Sequence, residues 1–124
     1  QLDLLHLADE IEDVGKSEQR ELASRFAVLL AHLLKWRYQP ERRGASWEKT
    51  IKAQRKELDY HLSDTPTLRP KLLEPRWLDM VWSKAVAQAV TETGLNCFPD
   101  DCPWSIEDEV LNPGWFPEAA NSVE

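Results

Sequence analysis

The densest group of chemically versatile side chains lies between residues 35 and 50. Lys35, Trp36, Tyr38, Gln39, Arg42, Arg43, Trp47 and Thr50 bring together cations, aromatic faces, an amide and a hydroxyl. A guanidinium presents a planar fork of donors that suits phosphate or carboxylate, and an aromatic face offers a stacking surface for a nucleobase. The same residue types have a plainer use. Aromatic rings can close the end of a helical bundle, with arginine stems packed over them. Both uses are consistent with the residues as they stand.

Charge is distributed unevenly around that segment. The stretch Lys35 to Lys56 carries a net charge of +6, residues 1–21 carry −5, and residues 96–124 hold seven acidic and no basic residues. Lys49, Lys52, Arg55 and Lys56 could form a basic strip for nucleic acid. Against this, the whole chain carries a net charge of −7, which weakens affinity for a polyanion. An acidic neighbour lying beside the strip explains it equally well.

Other chemistries find less support. Cys97 and Cys102 form a lone C-x4-C pair, and His6, His32 and His61 do not complete a zinc pattern. Glu57 and His61 are four residues apart and share a helical face, and Glu12 could approach His32. However, the Glu-x-x-His pairs of di-iron bundles are missing. A hydrogen-bonded histidine at the core boundary is the simpler expectation for His32. There is no G-x-S-x-G elbow and no glycine-rich phosphate loop. The expectation is therefore no catalytic residue, no metal and no cofactor.

The elements that would position these residues are helical. Leu4, Leu7, Ala8, Ile11 and Val14 recur at helical spacing over residues 2–14, and Gly15 is expected to stop that helix as a left-handed cap. Ser17 then caps a second helix with the stripe Leu22, Phe26, Leu29, Leu30, Leu33 and Trp36, ended by Pro40. Ser46 is expected to cap a third, with the stripe Trp47, Ile51, Gln54, Leu58 and Leu62. After the break at residues 63–66, the spacing of Leu68, Leu72, Leu73, Trp77, Met80, Val81, Ala85 and Ala89 predicts a helix reaching Gly94. Pro70 restarts it, and Pro75 either kinks it or marks its true beginning. Beyond Gly94 come turns, a short helix near residues 105–111 opened by a capping box of Ser105 and Asp108, and a frayed tail from 117. Trp104, Trp115 and Phe116 pack this arm onto the bundle or form an interface.

Several separated pieces resemble the domain of unknown function 29 family, common in cyanobacteria and some proteobacteria. They are residues 29–43 (LLAHLLKWRYQPERR), Ser46-Trp47, Thr50-Ile51, residues 10–18 (EIEDVGKSE), Leu68-Arg69-Pro70, and Glu92 to Leu95 leading to Phe98 to Pro103. The resemblance runs from about residue 2 to residue 112 and implies a small helical bundle. It also implies a further N-terminal helix ahead of Gln1. Pro75, Trp77, Trp82 and Cys97 depart from the family's pattern. No activity comes with the family.

The expected architecture is all-α: one domain over residues 1–124, an antiparallel bundle of three to four helices with an irregular C-terminal arm from residue 112. No apolar run approaches the roughly 18–20 residues needed to span a bilayer, and a cytoplasmic location is expected. The expected function is a non-enzymatic interaction module, binding a protein partner or itself. A nucleic-acid- or nucleotide-associated role for residues 35–56 is the alternative, and an enzyme with polar groups buried in the bundle is a third reading.

Overall fold

A computed structural model describes residues 2–120, with side chains from Gly15 onward. It is all-α, as expected. Helix α1 spans Leu2–Tyr38, α2 spans Ala45–Asp64 and α3 spans Pro75–Thr93. A 3-10 turn at Pro40–Arg42 joins α1 to α2, and a 3-10 segment at Pro66–Leu73 joins α2 to α3.

The two helices expected on either side of Gly15 are one. Val14 and Leu22 are eight residues apart, so the stripe of residues 4–14 continues in phase into Leu22, Phe26, Leu29 and Leu33. A glycine inside a helix costs about 1 kcal/mol relative to alanine, too little to break an uninterrupted apolar line. Among the described glycines only Gly94 has positive φ, at 74°.

From Leu22 to Leu34, α1 is buried nearly all round: Leu22, Ala23, Phe26, Ala27, Leu29, Leu30, Ala31, Leu33 and Leu34 all belong to the core. It is the shared partner on which α2 and α3 pack. α2 runs antiparallel to it, since Trp47 lies beside Lys35 and His61 beside Glu18. α3 returns in the direction of α1, with Trp77 edge-on to Phe26 and Glu92 bound to Lys35.

The boundaries follow local chemistry. Pro66, Pro70 and Pro75 each lack an N–H, so the chain between them forms 3-10 turns that bury Leu68 and Leu72. α3 begins at Pro75, one of the two outcomes expected there, and stops at left-handed Gly94, whose N–H reaches Val90 O at 2.8 Å. The cap of α2 is Gly44, not Ser46, which lies inside the first turn. Arg43 and Gly44 are both extended, so the chain enters the helix two residues earlier than the hydroxyl pattern suggests.

The arm from Leu95 to Ala120 is irregular yet anchored. Trp82 Nε1 donates to Pro99 O at 2.9 Å. The short helix is a π turn at Ile106–Val110, closed by i→i+5 bonds such as Val110 N to Ser105 O. Its capping box is therefore one residue longer than expected: Ser105 Oγ accepts from Asp108 N, while Glu109 rather than Asp108 returns a carboxylate to Ser105 N. The expected fraying from 117 does not hold as far as Ala120. Pro117 is buried, Ala120 N donates to Arg37 O at 2.9 Å, and Arg37 donates to Glu118 O at 3.0 Å. The remaining tail residues lie outside the described residues.

The two glycines should respond oppositely to alanine. Nothing lies within 4 Å of a Cβ at either position, so only backbone conformation differs. Gly15→Ala should stabilise by roughly 0.5–1 kcal/mol, and Gly94→Ala should destabilise by about 1–2 kcal/mol. Urea unfolding of the two variants checks the signs.

Candidate functional site

The segment 35–50 forms the corner where α1 turns into α2, and most of its chemistry faces inward. The Lys35 side chain is only 7% exposed. Its Nζ donates to Glu92 Oε1 at 2.9 Å and stands 5.4 Å from the centre of the Trp47 ring. The hydrogen bond from Lys35 holds the Glu92 carboxyl below its ordinary range, with Gln88 adding to the effect. Gln39 is buried, and its backbone continues the last turn of α1 through Gln39 N to Lys35 O at 2.9 Å.

The corner aromatics pack against the arm. Trp36 lies 4.7 Å from Phe116, and Tyr38 meets Phe98 edge-on at 5.2 Å. Arg43 lies over Trp36 at 5.0 Å and donates from Nε to Trp36 O at 2.7 Å. Trp47 and Thr50 are half-buried, and Arg42 is exposed. Lys35, Trp36, Tyr38, Gln39, Arg43 and Trp47 thus gather at the end of the bundle, Thr50 is half-buried beside them, and Arg42 is exposed.

Arg55, which the charge pattern assigned to an exposed strip, is buried. Its guanidinium donates to three carbonyls of the arm: Nε to Val110 O at 2.8 Å, Nη1 to Pro113 O at 3.4 Å and Nη2 to Trp115 O at 2.7 Å. It also lies 5.4 Å from the Phe116 ring. Burial pushes its pKa down. No carboxylate pairs with it among the described residues. The planar fork explains the choice of residue, since one ammonium could not reach three separate carbonyls. A spacing signal was available: Ile51, Arg55, Leu58 and Leu62 are the buried residues of α2, at steps of four, three and four. Gln54, expected in that stripe, is only half-buried.

Lys49, Lys52 and Lys56 remain exposed on α2, with Lys52 paired to Glu48 at 3.1 Å. Beside them runs a groove of about 460 Å³ between α2 and the arm, lined by Lys52, Arg55, Lys56, Asp59, Leu111 and Pro113. Its floor includes apolar atoms and its rim is mostly basic.

The matching family profile is "Domain of unknown function DUF29", which covers residues 1–116. The chain belongs to the DUF29 family. Curated proteins and solved structures provide no match. The family pieces quoted above fall on identifiable parts of the fold. The LLAHLLKWRY run supplies the central helix and its cap, and the Phe98–Pro103 stretch supplies the start of the arm.

Cys97 and Cys102 are both free. Burial raises the Cys102 pKa, and its Sγ points to Trp104 O. His32 is half-buried, with Nδ1 2.9 Å from Val28 O. That contact requires the proton on Nδ1, and burial pushes the imidazole pKa down. Among the described residues, no helix is long and apolar enough to cross a membrane.

Two outcomes test the clamp on the arm and the corner. Arg55→Ala leaves three carbonyls without their donor and should cost about 3 kcal/mol or more. Arg55→Lys should recover only part of this, and tryptophan fluorescence with limited proteolysis of residues 112–120 reports the released arm. Glu92 has a folded pKa below its unfolded value near 4.5, so its contribution is present above that pH and lost as pH falls through the folded pKa. The stability difference between wild type and Glu92→Gln should therefore shrink on acidification below pH 4.5, as read by chemical denaturation across pH.

Proposed function

We propose that this chain is a non-enzymatic protein-interaction module in which the first half of α1 docks on the basic groove of a second copy. A mismatch of lengths supports this reading most. α1 has 37 residues, α2 has 20 and α3 has 19. At 1.5 Å per residue, α1 is about 55 Å long and its neighbours only about 30 Å. Among the described residues, the core portion of α1 begins at Leu22, and its pair with the last turn of α2 is Glu18–His61.

Ahead of that point the sequence carries Leu4, Leu7, Ala8, Ile11 and Val14 at helical spacing, interleaved with Asp3, Asp9, Glu10, Glu12 and Asp13. An acidic amphipathic helix suits a groove with an apolar floor and a basic rim. The groove beside Lys52, Lys56, Leu111 and Pro113 has that character. α1 is one unbroken helix from Leu2 to Tyr38, so its own first half does not turn back onto this groove. A head-to-tail contact of this kind joins unlike surfaces of two copies. Nucleic acid is a weaker fit for the same lysines, because Lys35 and Arg55 are committed inside the fold and the net charge is −7.

Sedimentation velocity tests the reading. Wild type should self-associate with rising concentration and less so at high salt. Leu7→Glu/Ile11→Glu and Lys52→Glu/Lys56→Glu should each be monomeric, with the melting temperature of dilute, monomeric wild type. A wild type that stays monomeric throughout, or a Leu7→Glu/Ile11→Glu variant that loses its folded core, contradicts it.

A further inference from the structure

Spacing along α2 pairs His61 with Glu57, but the fold gives the imidazole different company. His61 faces α1 at Glu18 and Glu21, which stand three residues apart and so share a face. Its Nε2 lies 3.2 Å from Glu18 Oε2. One ligand atom from each of Glu18, Glu21 and His61 lies within 4.8 Å of the others. The Nε2 atom is itself buried. Although it is close to the Glu18 carboxylate, it makes no aligned hydrogen bond. The fold thus gathers three potential donor atoms, and the ring nitrogen among them has no directed donor or acceptor.

We infer that Glu18, Glu21 and His61 form a site for a first-row divalent transition metal of the zinc type, tying α1 to the last turn of α2. One imidazole nitrogen and two carboxylate oxygens are a donor set that such ions accept, leaving a further position for water. With ligands about 2.1 Å from the ion, neighbouring donor atoms in a tetrahedral site are roughly 3.4 Å apart, so small side-chain rotations close the present spacing. Calcium would require more oxygens than these three residues provide. Arg25 donates to Glu21 Oε1 at 2.9 Å and also pairs with Glu57. That bond orients the Glu21 carboxylate, with its second oxygen left for the ion. The cluster borders a cleft of about 450 Å³ shared with Lys56 and Tyr60, which gives an ion a path from solvent. On that cleft the cations Arg25 and Lys56 are balanced by Glu21 and Glu57, so selectivity rests on the ring nitrogen. The site is independent of self-association, which should proceed unchanged in chelator.

The test uses the tag-free chain, with zinc as the probe in calorimetry and cobalt as its spectroscopic substitute. One equivalent of zinc should bind, the melting temperature should rise with the logarithm of zinc concentration, and cobalt should give visible absorption bands. His61→Ala and Glu18→Gln should each weaken zinc binding about tenfold or more, while His32→Ala should bind like wild type. Circular dichroism confirms that each variant is folded, and Glu18→Gln decides the matter if His61→Ala is not. Absence of saturable zinc binding by wild type overturns the inference, as does binding undiminished in Glu18→Gln.

Discussion

From Phe26 to Leu34 α1 is apolar on nearly every side, and a helix of that kind must be enclosed. Two neighbouring helices cover only part of its circumference. The arm adds to that cover: it contributes Val110 to the core and packs Phe98, Trp104, Trp115 and Phe116 against it. An irregular chain has no ladder of its own to hold it in place. Here Arg55 does so, by donating to three carbonyls within a six-residue span. The enclosure of α1 and the clamp on the arm are thus one constraint.

The aromatic residues extend that constraint across the molecule. Trp82, Trp104 and Trp115 meet edge to face in succession, at 5.7 Å and 5.5 Å, and Trp36 stacks near Phe116 at the corner. Such pairs contribute about 0.5–1.5 kcal/mol each beyond their buried area. They also make the arm specific, since the ring geometry fixes where the chain may cross. Pro75, Trp77 and Trp82, which look irregular for a plain helix, have places in this arrangement. Pro75 opens α3, Trp77 meets Phe26, and Trp82 anchors Pro99.

Local rules made much of this readable. The Phe26–Leu33 stripe, the stop at Gly94 and the start near Pro75 follow from periodicity, left-handed glycine and proline chemistry. The basic corner was readable as a group of residues, but spacing could not separate a binding loop from a bundle cap. That depended on Glu92 and Phe116, which lie far along the chain. Gly15 misled because a glycine after a helical run resembles a cap, and only the shared phase of Val14 and Leu22 argues otherwise. Arg55 misled because its charge suggested solvent, while its place between Ile51 and Leu58 indicated the core. The meeting of His61 with Glu18 requires the crossing of α1 and α2, which no local pattern carries.

The arm's role as part of the core is most directly tested by ending the chain at Gly94 and following its unfolding. Loss of the arm should uncover the third side of α1, giving a species that keeps helical dichroism but binds a hydrophobic dye and melts without a cooperative transition. A truncated chain that melts cooperatively at the temperature of the full one would contradict the account.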